Sequence, residues 1–336
     1  MNVAVRLPNW LGDTVMAVPA LASLRAAWPD ARVLAAGPWA ALLAEQGLAD
    51  VLVDYPRRWS GRLRAADTVA AFAPDLALLL PNSFESALAA WYWGARRRVG
   101  YAAGGRSELL TDAVPVPEPR PHQVDEYLTL AERCEAPITI REPALRPPAA
   151  ESPEWLEACG LLEAVTAGAG APRIGVHLGA AYGPAKLWPL ERVAECCRLL
   201  ADAGTTAILL GAPGDAEAAA TILAAAPAVS LVGRDRPTLL PALLAQLDAL
   251  ISGDTGVAHL AAALGTPVVT LFGPTDPRLS APRGPAAVVT HPVPCAPCFY
   301  RVCPIEHPCL RGIEPAEVRA RTLALIAESP ARRGPA

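Results

Sequence analysis

Apolar residues in the first third of the chain recur with two alternating periods. NVAVRLP (2–8) is a short apolar run with β-branched residues, the loop NWLGD follows, and TVMAVPALASLRAAW then repeats its apolar positions at helical spacing. The alternation continues through ARVLAAG, a helical WAALLAEQG, the strand-like ADVLVDY, a helix around Leu63 to Phe72, the buried-strand run DLALLLP and a helical SFESALAAWYWG. Strands separated by helices of this length predict a parallel sheet covered on both faces. A proline-rich passage from Pro115 to Pro121 breaks the pattern, a helix is expected around Asp125 to Glu132, and periodicity fades from about residue 137.

A second alternation opens at RIGVHLG. It runs through the helix LERVAECCRLLADAG, the strand TTAILLG, the helix DAEAAATILAAAP, the strand VSLVG, the helix TLLPALLAQL, the strand DALIS, the helix TGVAHLAAALG and the strand PVVTLFG. The tail PAEVRARTLALIAE is a final amphipathic helix. The expected organisation is α/β in two successive halves: a first domain over 1–150, a connection over 151–172, a second domain over 173–315, and a C-terminal helix and tail over 316–336. At roughly 150 residues per domain, 336 residues agree with two cores.

Composition narrows the function classes. The chain is 52% hydrophobic with mean hydropathy +0.27, yet no apolar run approaches the roughly 18 residues that span a bilayer. The opening residues lack the charged, apolar and small-residue regions of a secretory signal, so the cytoplasm is the expected compartment. Lys+Arg 29 against Asp+Glu 33 leaves a net charge of -4 and no global basic field for nucleic acid. A nicotinamide site is disfavoured as well. The turn after the first strand is NWLGD instead of G-x-G-x-x-G, and the dense glycines Gly168 and Gly170 precede a strand. Only one of the basic residues, Lys186, is a lysine, in a chain that uses arginine everywhere else. It is either a chance survivor on a surface or a compact ammonium placed where a planar guanidinium fits poorly.

Two strand-to-helix turns of the second half suit an anion. In DALISGDTGVAHLAAALG, Asp254 or Thr255 can cap the helix, Gly256 lets backbone approach a ligand, and His259 lies one turn further on. In HLGAAYGPAKLWPLERV, Gly179 and Gly183 open the turn and Lys186 stands just before the helix. Taken singly, an ordinary capped helix and a core histidine explain these residues equally well; taken together they favour a nucleotide diphosphate. Asp215 and Glu217 near a further helix start fit a ribose diol or simply the positive end of the helix dipole. Asp13, at the carboxyl end of the first strand, stands where a general base for an acceptor hydroxyl would be, although a lone aspartate there is more often a helix cap.

Four strings carry a resemblance: RLPNWLGDTVMAVPALASLR, PNSFESALAAWYWGARRRVGY, SGDTGVAHLAAALGTPVVTLFGPTDP and CAPCFYRVCPIEHPCLRGIEP. In order and spacing they resemble the ADP-heptose:lipopolysaccharide heptosyltransferases of glycosyltransferase family 9, most closely the heptosyltransferase II branch, over about residues 2 to 320. The resemblance implies a GT-B architecture, two Rossmann-like domains facing across a cleft, the first receiving the acceptor and the second holding the sugar nucleotide. It implies an inverting transfer with no cofactor, from ADP-heptose to the second heptose position of the lipopolysaccharide inner core, with peripheral contact at the cytoplasmic face of the inner membrane. It also implies roles: Asp13 the base, Lys186 the diphosphate contact, Asp254 a ligand of the donor sugar hydroxyls, Thr255, Gly256 and His259 phosphate and sugar contacts, and Glu217 the ribose ligand. Another family 9 transferase with a different donor or acceptor, and a sugar-nucleotide-binding protein without transferase activity, are the alternatives.

An anionic acceptor calls for basic groups. Arg57, Arg58, Arg62 and Arg64 form one cluster, and Arg96, Arg97, Arg98 and Arg106 another; Arg97, Arg98 and Arg106 are the acceptor-binding candidates because they adjoin a family-like segment. A solvated face is the competing explanation. Trp91, Tyr92 and Trp93 fit core packing better than a lipid or sugar contact. Cys295, Cys298, Cys303 and Cys309, in the spacing C-x2-C-x4-C-x5-C, are tighter than common zinc ribbons, so a structural role precedes a metal.

Overall fold

The structure, a computed structural model, describes residues 1–58, 60–166 and 170–329. Residues 167–169 of the expected connection, Gly168 among them, and residues 330–336 of the expected tail lie outside the described residues. The chain divides into two compact units, one from Met1 to Ala144 with Arg278–Ser280, the other from Leu145 to Pro277 and again from Ala281 onward.

The first unit runs β1 (Asn2–Arg6), α1 (Leu11–Met16), α2 (Val18–Ala27), β2 (Arg32–Gly37), β3 (Val51–Asp54), α3 (Arg62–Ala71), β4 (Leu76–Leu79), α4 (Phe84–Tyr92), β5 (Arg97–Tyr101), β6 (Asp112–Val114) and α5 (Gln123–Arg133). All its strands are parallel, in the order β3-β2-β1-β4-β5-β6. Val3, Ala4, Val5, Leu34 and Leu78 are fully buried between the helical layers, as continuous apolar strands require.

Two elements here depart from the periodicity. WAALLAEQG forms only a single tight turn at Ala40–Leu43, because Glu45 adopts a left-handed φ of 61° and Gly47 one of 72°. β5 begins with Arg97 and Arg98, charged residues that disguise a strand. Their guanidinium groups are engaged internally, Arg97 by Asp112, Glu135 and the Arg133 carbonyl, and Arg98 by the Leu109 and Ala95 carbonyls.

The second unit contains α6 (Pro153–Thr166), β7 (Arg173–His177), α7 (Leu190–Asp202), β8 (Thr206–Leu210), α8 (Ala216–Ala225), β9 (Val229–Ser230), α9 (Leu240–Ala245), β10 (Ala249–Gly253), α10 (Gly256–Ala263) and β11 (Val268–Phe272). The short α11 (Pro277–Ser280), β12 (Ala286–Thr290), the short α12 (Pro308–Arg311) and α13 (Pro315–Glu328) complete the chain. Its parallel sheet has the order β12-β11-β10-β7-β8-β9, the same winding as the first. The aperiodic stretch before β7 contains a true helix, α6, which buries only Ala158, Leu162 and Thr166 and packs on α9. So narrow an apolar stripe leaves little periodic signal.

Both sheets follow the doubly wound order in which the winding direction reverses between the first and fourth strands. Open α/β sheets bind ligands in the crevice beyond the carboxyl ends of the strands at that reversal. In the first unit the crevice lies past β1 and β4, and in the second past β7 and β10.

Candidate active site

In the second unit, the turn after β7 and the turn after β10 converge on Lys186. Its Nζ donates to Asp254 Oδ2 at 2.5 Å and to the Asp254 carbonyl at 3.1 Å, and Thr275 Oγ1 donates to the same carboxylate oxygen at 2.6 Å. Lys186 and Asp254 side chains are only 11% and 8% exposed, so this is a buried ion pair. An ammonium has three donor hydrogens, and two are spent on Asp254. The ammonium also lies 4.7 Å from the centre of the Tyr182 ring, a cation–π contact.

The β7 turn is held in place from below. Gly183 has φ 152°, and a Cβ there would come within 2.6 Å of the Arg301 carbonyl, which itself accepts from the Ala185 N–H. Only glycine fits that approach. Tyr182 Oη donates to the Phe299 carbonyl at 2.5 Å, and the N–H groups of Cys298 and Phe299 donate to the Pro274 carbonyl. The cysteine segment therefore braces the Lys186 loop and the loop of Thr275. Among the described residues no three His, Cys, Asp or Glu side chains converge in a metal-holding group. Cys295 is exposed and Cys309 buried, and burial, followed by the neighbouring thiols of Cys295 and Cys303, pushes the Cys309 thiol up.

Beside the ion pair lies a narrow cavity of 70 Å³, lined by His177, Gly179, Lys186, Trp188, Asp215 and Ser252 among others. His177 Nδ1 and Trp188 Nε1 are buried there without hydrogen-bond partners among the described residues. Burial pushes the His177 imidazole down to about 4, so it is neutral at pH 7. Thr255 is the N-cap residue of α10, with an extended backbone, but its hydroxyl pairs with Ser252 Oγ at 3.0 Å and makes no side-chain cap. Asp254 does not cap the helix either, since Lys186 and Thr275 engage it. The start of α10, with Gly256 as its first residue, thus carries the positive end of the helix without a side-chain cap. His259 is buried one turn on. Glu217 is exposed on the first turn of α8, whereas Asp215 lines the cavity, accepts the Ala212 N–H at 2.9 Å and packs against Gly179 and Gly211.

In the first unit, the crevice past β1 and β4 is a cavity of 280 Å³ whose walls include Asn9, Trp10, Asp13, Asn82, Ser83 and Tyr127. Asp13 is half-buried in the first turn of α1. Burial, then the Asp13 and Glu126 carboxylates, hold the Tyr127 phenol well above its ordinary value, so it stays protonated beside Asp13. The loop that delivers Asp13 is fixed by the fully buried Arg6. Its Nη1 donates to the Leu7 carbonyl at 2.5 Å, its Nη2 to Asn9 Oδ1 at 3.0 Å, and its guanidinium stacks 4.4 Å from the Tyr55 ring centre.

The arginines sort differently from the expectation. Arg97, Arg98 and Arg106 do not line this cavity. Arg97 and Arg98 are occupied by the internal partners described above. Arg106 is fully buried, donating to the Tyr101 carbonyl at 3.0 Å, Ser86 Oγ at 2.7 Å, Asn82 Oδ1 at 3.1 Å and the Pro81 and Ser83 carbonyls. Burial lowers it to about 10, still protonated at pH 7. Its work is to brace the 81–83 wall from behind. Arg57, from the first cluster, stacks 4.1 Å from the centre of the ring of Trp10, itself a wall of the cavity.

One switch point holds a carboxylate in a cavity and the other an ammonium beside a helix start without a side-chain cap, each in a unit with a doubly wound parallel sheet. Residues 62–308 match the model of glycosyltransferase family 9 (heptosyltransferase), and the chain belongs to that family; it is a glycosyltransferase. It is 31% identical to lipopolysaccharide heptosyltransferase 2 of Escherichia coli K12 over 84% of this chain and 85% of that protein. It is 28% identical to lipooligosaccharide heptosyltransferase 2 of Haemophilus influenzae over 86% of this chain and 88% of that protein. Among solved structures, E. coli ADP-heptose lps heptosyltransferase II superposes with a TM-score of 0.79 at 28% identity, covering 98% of this chain and 99% of that one. These likenesses agree with the family and GT-B class read from the four sequence strings.

Proposed function

We propose that this chain transfers L-glycero-D-manno-heptose from ADP-heptose to the lipopolysaccharide inner core, as the second heptose, with inversion at the anomeric carbon. The observation that carries the reading is the division of chemistry between the two switch points. Lys186 keeps one ammonium donor for a diphosphate beside the start of α10, and Asp13 presents a carboxylate in a cavity with room for a sugar. Asp13 takes the proton as the acceptor hydroxyl attacks the anomeric carbon from the face opposite the diphosphate. The new glycosidic bond forms as the bond to ADP breaks, and the charge that builds on ADP is met by Lys186 and by the Thr255–Gly256 helix start.

Asp254 serves twice in this reading, orienting Lys186 and meeting donor sugar hydroxyls, with Thr275 holding its carboxylate. His259 adds a phosphate or sugar contact, Glu217 the ribose diol, and Arg57 with Arg58 the acidic groups of the acceptor. The reading places the chain in the cytoplasm, in peripheral contact with the inner membrane that carries the acceptor. Among the described residues no helix is long and apolar enough to cross a membrane. The test is ADP release by the purified chain given ADP-heptose with and without heptosyl-Kdo2-lipid A. Release that depends on this acceptor supports the reading; ADP-heptose binding without acceptor-dependent release overturns it.

A further inference from the structure

Helix α4 is apolar on both sides. Ser86, Ala87, Ala89 and Ala90 face the core, and Trp93 just beyond is buried. A helix on the surface of a water-soluble unit carries polar residues on its outer arc. Here that arc carries Phe84, Leu88, Trp91 and Tyr92, each between 42% and 58% exposed. At 100° per residue these positions, i, i+4, i+7 and i+8, fall within about a 100° stripe. Tyr92 Oη donates to Asp67 of α3 at 2.6 Å, which ties the two helices. Leu63, one turn before Asp67 on the same face of α3 and 74% exposed, extends the stripe.

Arginines flank the two helices along the chain. Arg57 and Arg58 precede α3, Arg64 follows Leu63 on it and Arg96 follows α4, all four exposed; Arg62 donates to the Arg57 carbonyl and pairs with Glu85 of α4 across 3.6 Å, which leaves Asp67 as the exposed carboxylate of this face. The stripe also begins at the Asp13 cavity, because Ser83, the N-cap of α4, is one of its walls, and the Arg57 loop borders the cavity through Trp10. An aromatic and aliphatic stripe on two helices whose flanking segments carry exposed arginines matches the boundary of an anionic bilayer, where Trp and Tyr rings sit at headgroup depth and guanidiniums pair with phosphate.

We propose that the outer face of α4, with Leu63 of α3, docks on an anionic phospholipid surface and so presents the Asp13 cavity to a lipid-anchored acceptor. The proposal rests on the heptosyltransferase reading for its purpose, but its test does not. The full chain is centrifuged with vesicles of phosphatidylcholine alone or with phosphatidylglycerol added, alongside the double variant Leu88→Ser/Trp91→Ser, with circular dichroism melts to confirm folding. The expected result is binding to the anionic vesicles that weakens with salt and drops about tenfold in the double variant. Activity on a deacylated, water-soluble acceptor should be unchanged in the variant, while activity on vesicle-borne acceptor falls. Equal vesicle binding by both proteins, or none by the parent, overturns the proposal. So does a parent dimer that the variant converts to monomer with no change at vesicles, which would make the stripe a contact between copies of the chain. Should the variant unfold, Phe84→Ser carries the same comparison. Loss of activity on both acceptors by the parent itself would count against the enzymatic reading and leave the vesicle result standing.

Discussion

Replacing Lys186 with methionine isolates the energetics of the ion pair from its chemistry. The pair is almost fully withdrawn from water, and at an effective dielectric near 20 its attraction is about 6 to 7 kcal/mol. Desolvation offsets most of that, so the pair as a whole contributes little net stability; the large term appears when one partner is removed and the other stays buried and charged. Lys186→Met leaves the Asp254 carboxylate with Thr275 Oγ1 as its remaining side-chain donor in that group. One retained hydrogen bond places the cost at the lower end of the usual range, about 3 kcal/mol, or a fall in the unit's melting temperature of roughly 6–12 °C. Adding Asp254→Asn removes the orphaned charge, so the double variant should recover at least half of the loss, a coupling of about 2 kcal/mol. Calorimetry on the four proteins of the cycle measures this. ADP release should fall about 10²- to 10³-fold in Lys186→Met and should not return in the double variant, because the diphosphate still lacks its ammonium. A single variant within about 0.5 kcal/mol of the parent, or strictly additive losses, would refute the buried-pair argument.

Two further outcomes follow from the same geometry. His177 is held below the pKa of an unfolded histidine, so the unfolded chain binds its proton first and acid favours unfolding; stability should fall as pH drops from about 6.5 to about 4, by on the order of 3 kcal/mol, and His177→Asn should flatten the urea-midpoint profile in that window. Arg57→Ala should raise KM for the acceptor about tenfold with the KM for ADP-heptose unchanged, whereas Arg98→Ala should act through stability; an acceptor effect confined to Arg98→Ala would restore the second arginine cluster to the acceptor site.

The α/β class and most strands were legible because each buried strand is an uninterrupted apolar run. What hid from the pattern has local causes: Arg97 and Arg98 start β5 with charge, α6 buries three residues out of fourteen, and Glu45 ends a helix in a left-handed turn. At the site, Lys186 stood out by composition, and the turns around Gly183 and Thr255 by their place after apolar strands. Thr275, Tyr182 and Arg6 carried no signal of their own. Their roles come from contacts with Asp254, Lys186, Phe299 and Asn9, which periodicity does not record. The internal contacts of Arg98 and Arg106 were not legible either, because a guanidinium's donors can be taken up by backbone carbonyls that no side-chain pattern records.

In the proposed reaction donor binding and proton removal belong to different switch points, and Asp13→Asn separates the two. Titration calorimetry with ADP, followed by a single-turnover transfer assay on the same preparation, should give an ADP affinity within about twofold of the parent and a transfer rate lowered by 10²-fold or more, the order expected for a general base. Near-normal transfer in Asp13→Asn, or a loss of ADP binding as large as the loss of rate, would contradict the account.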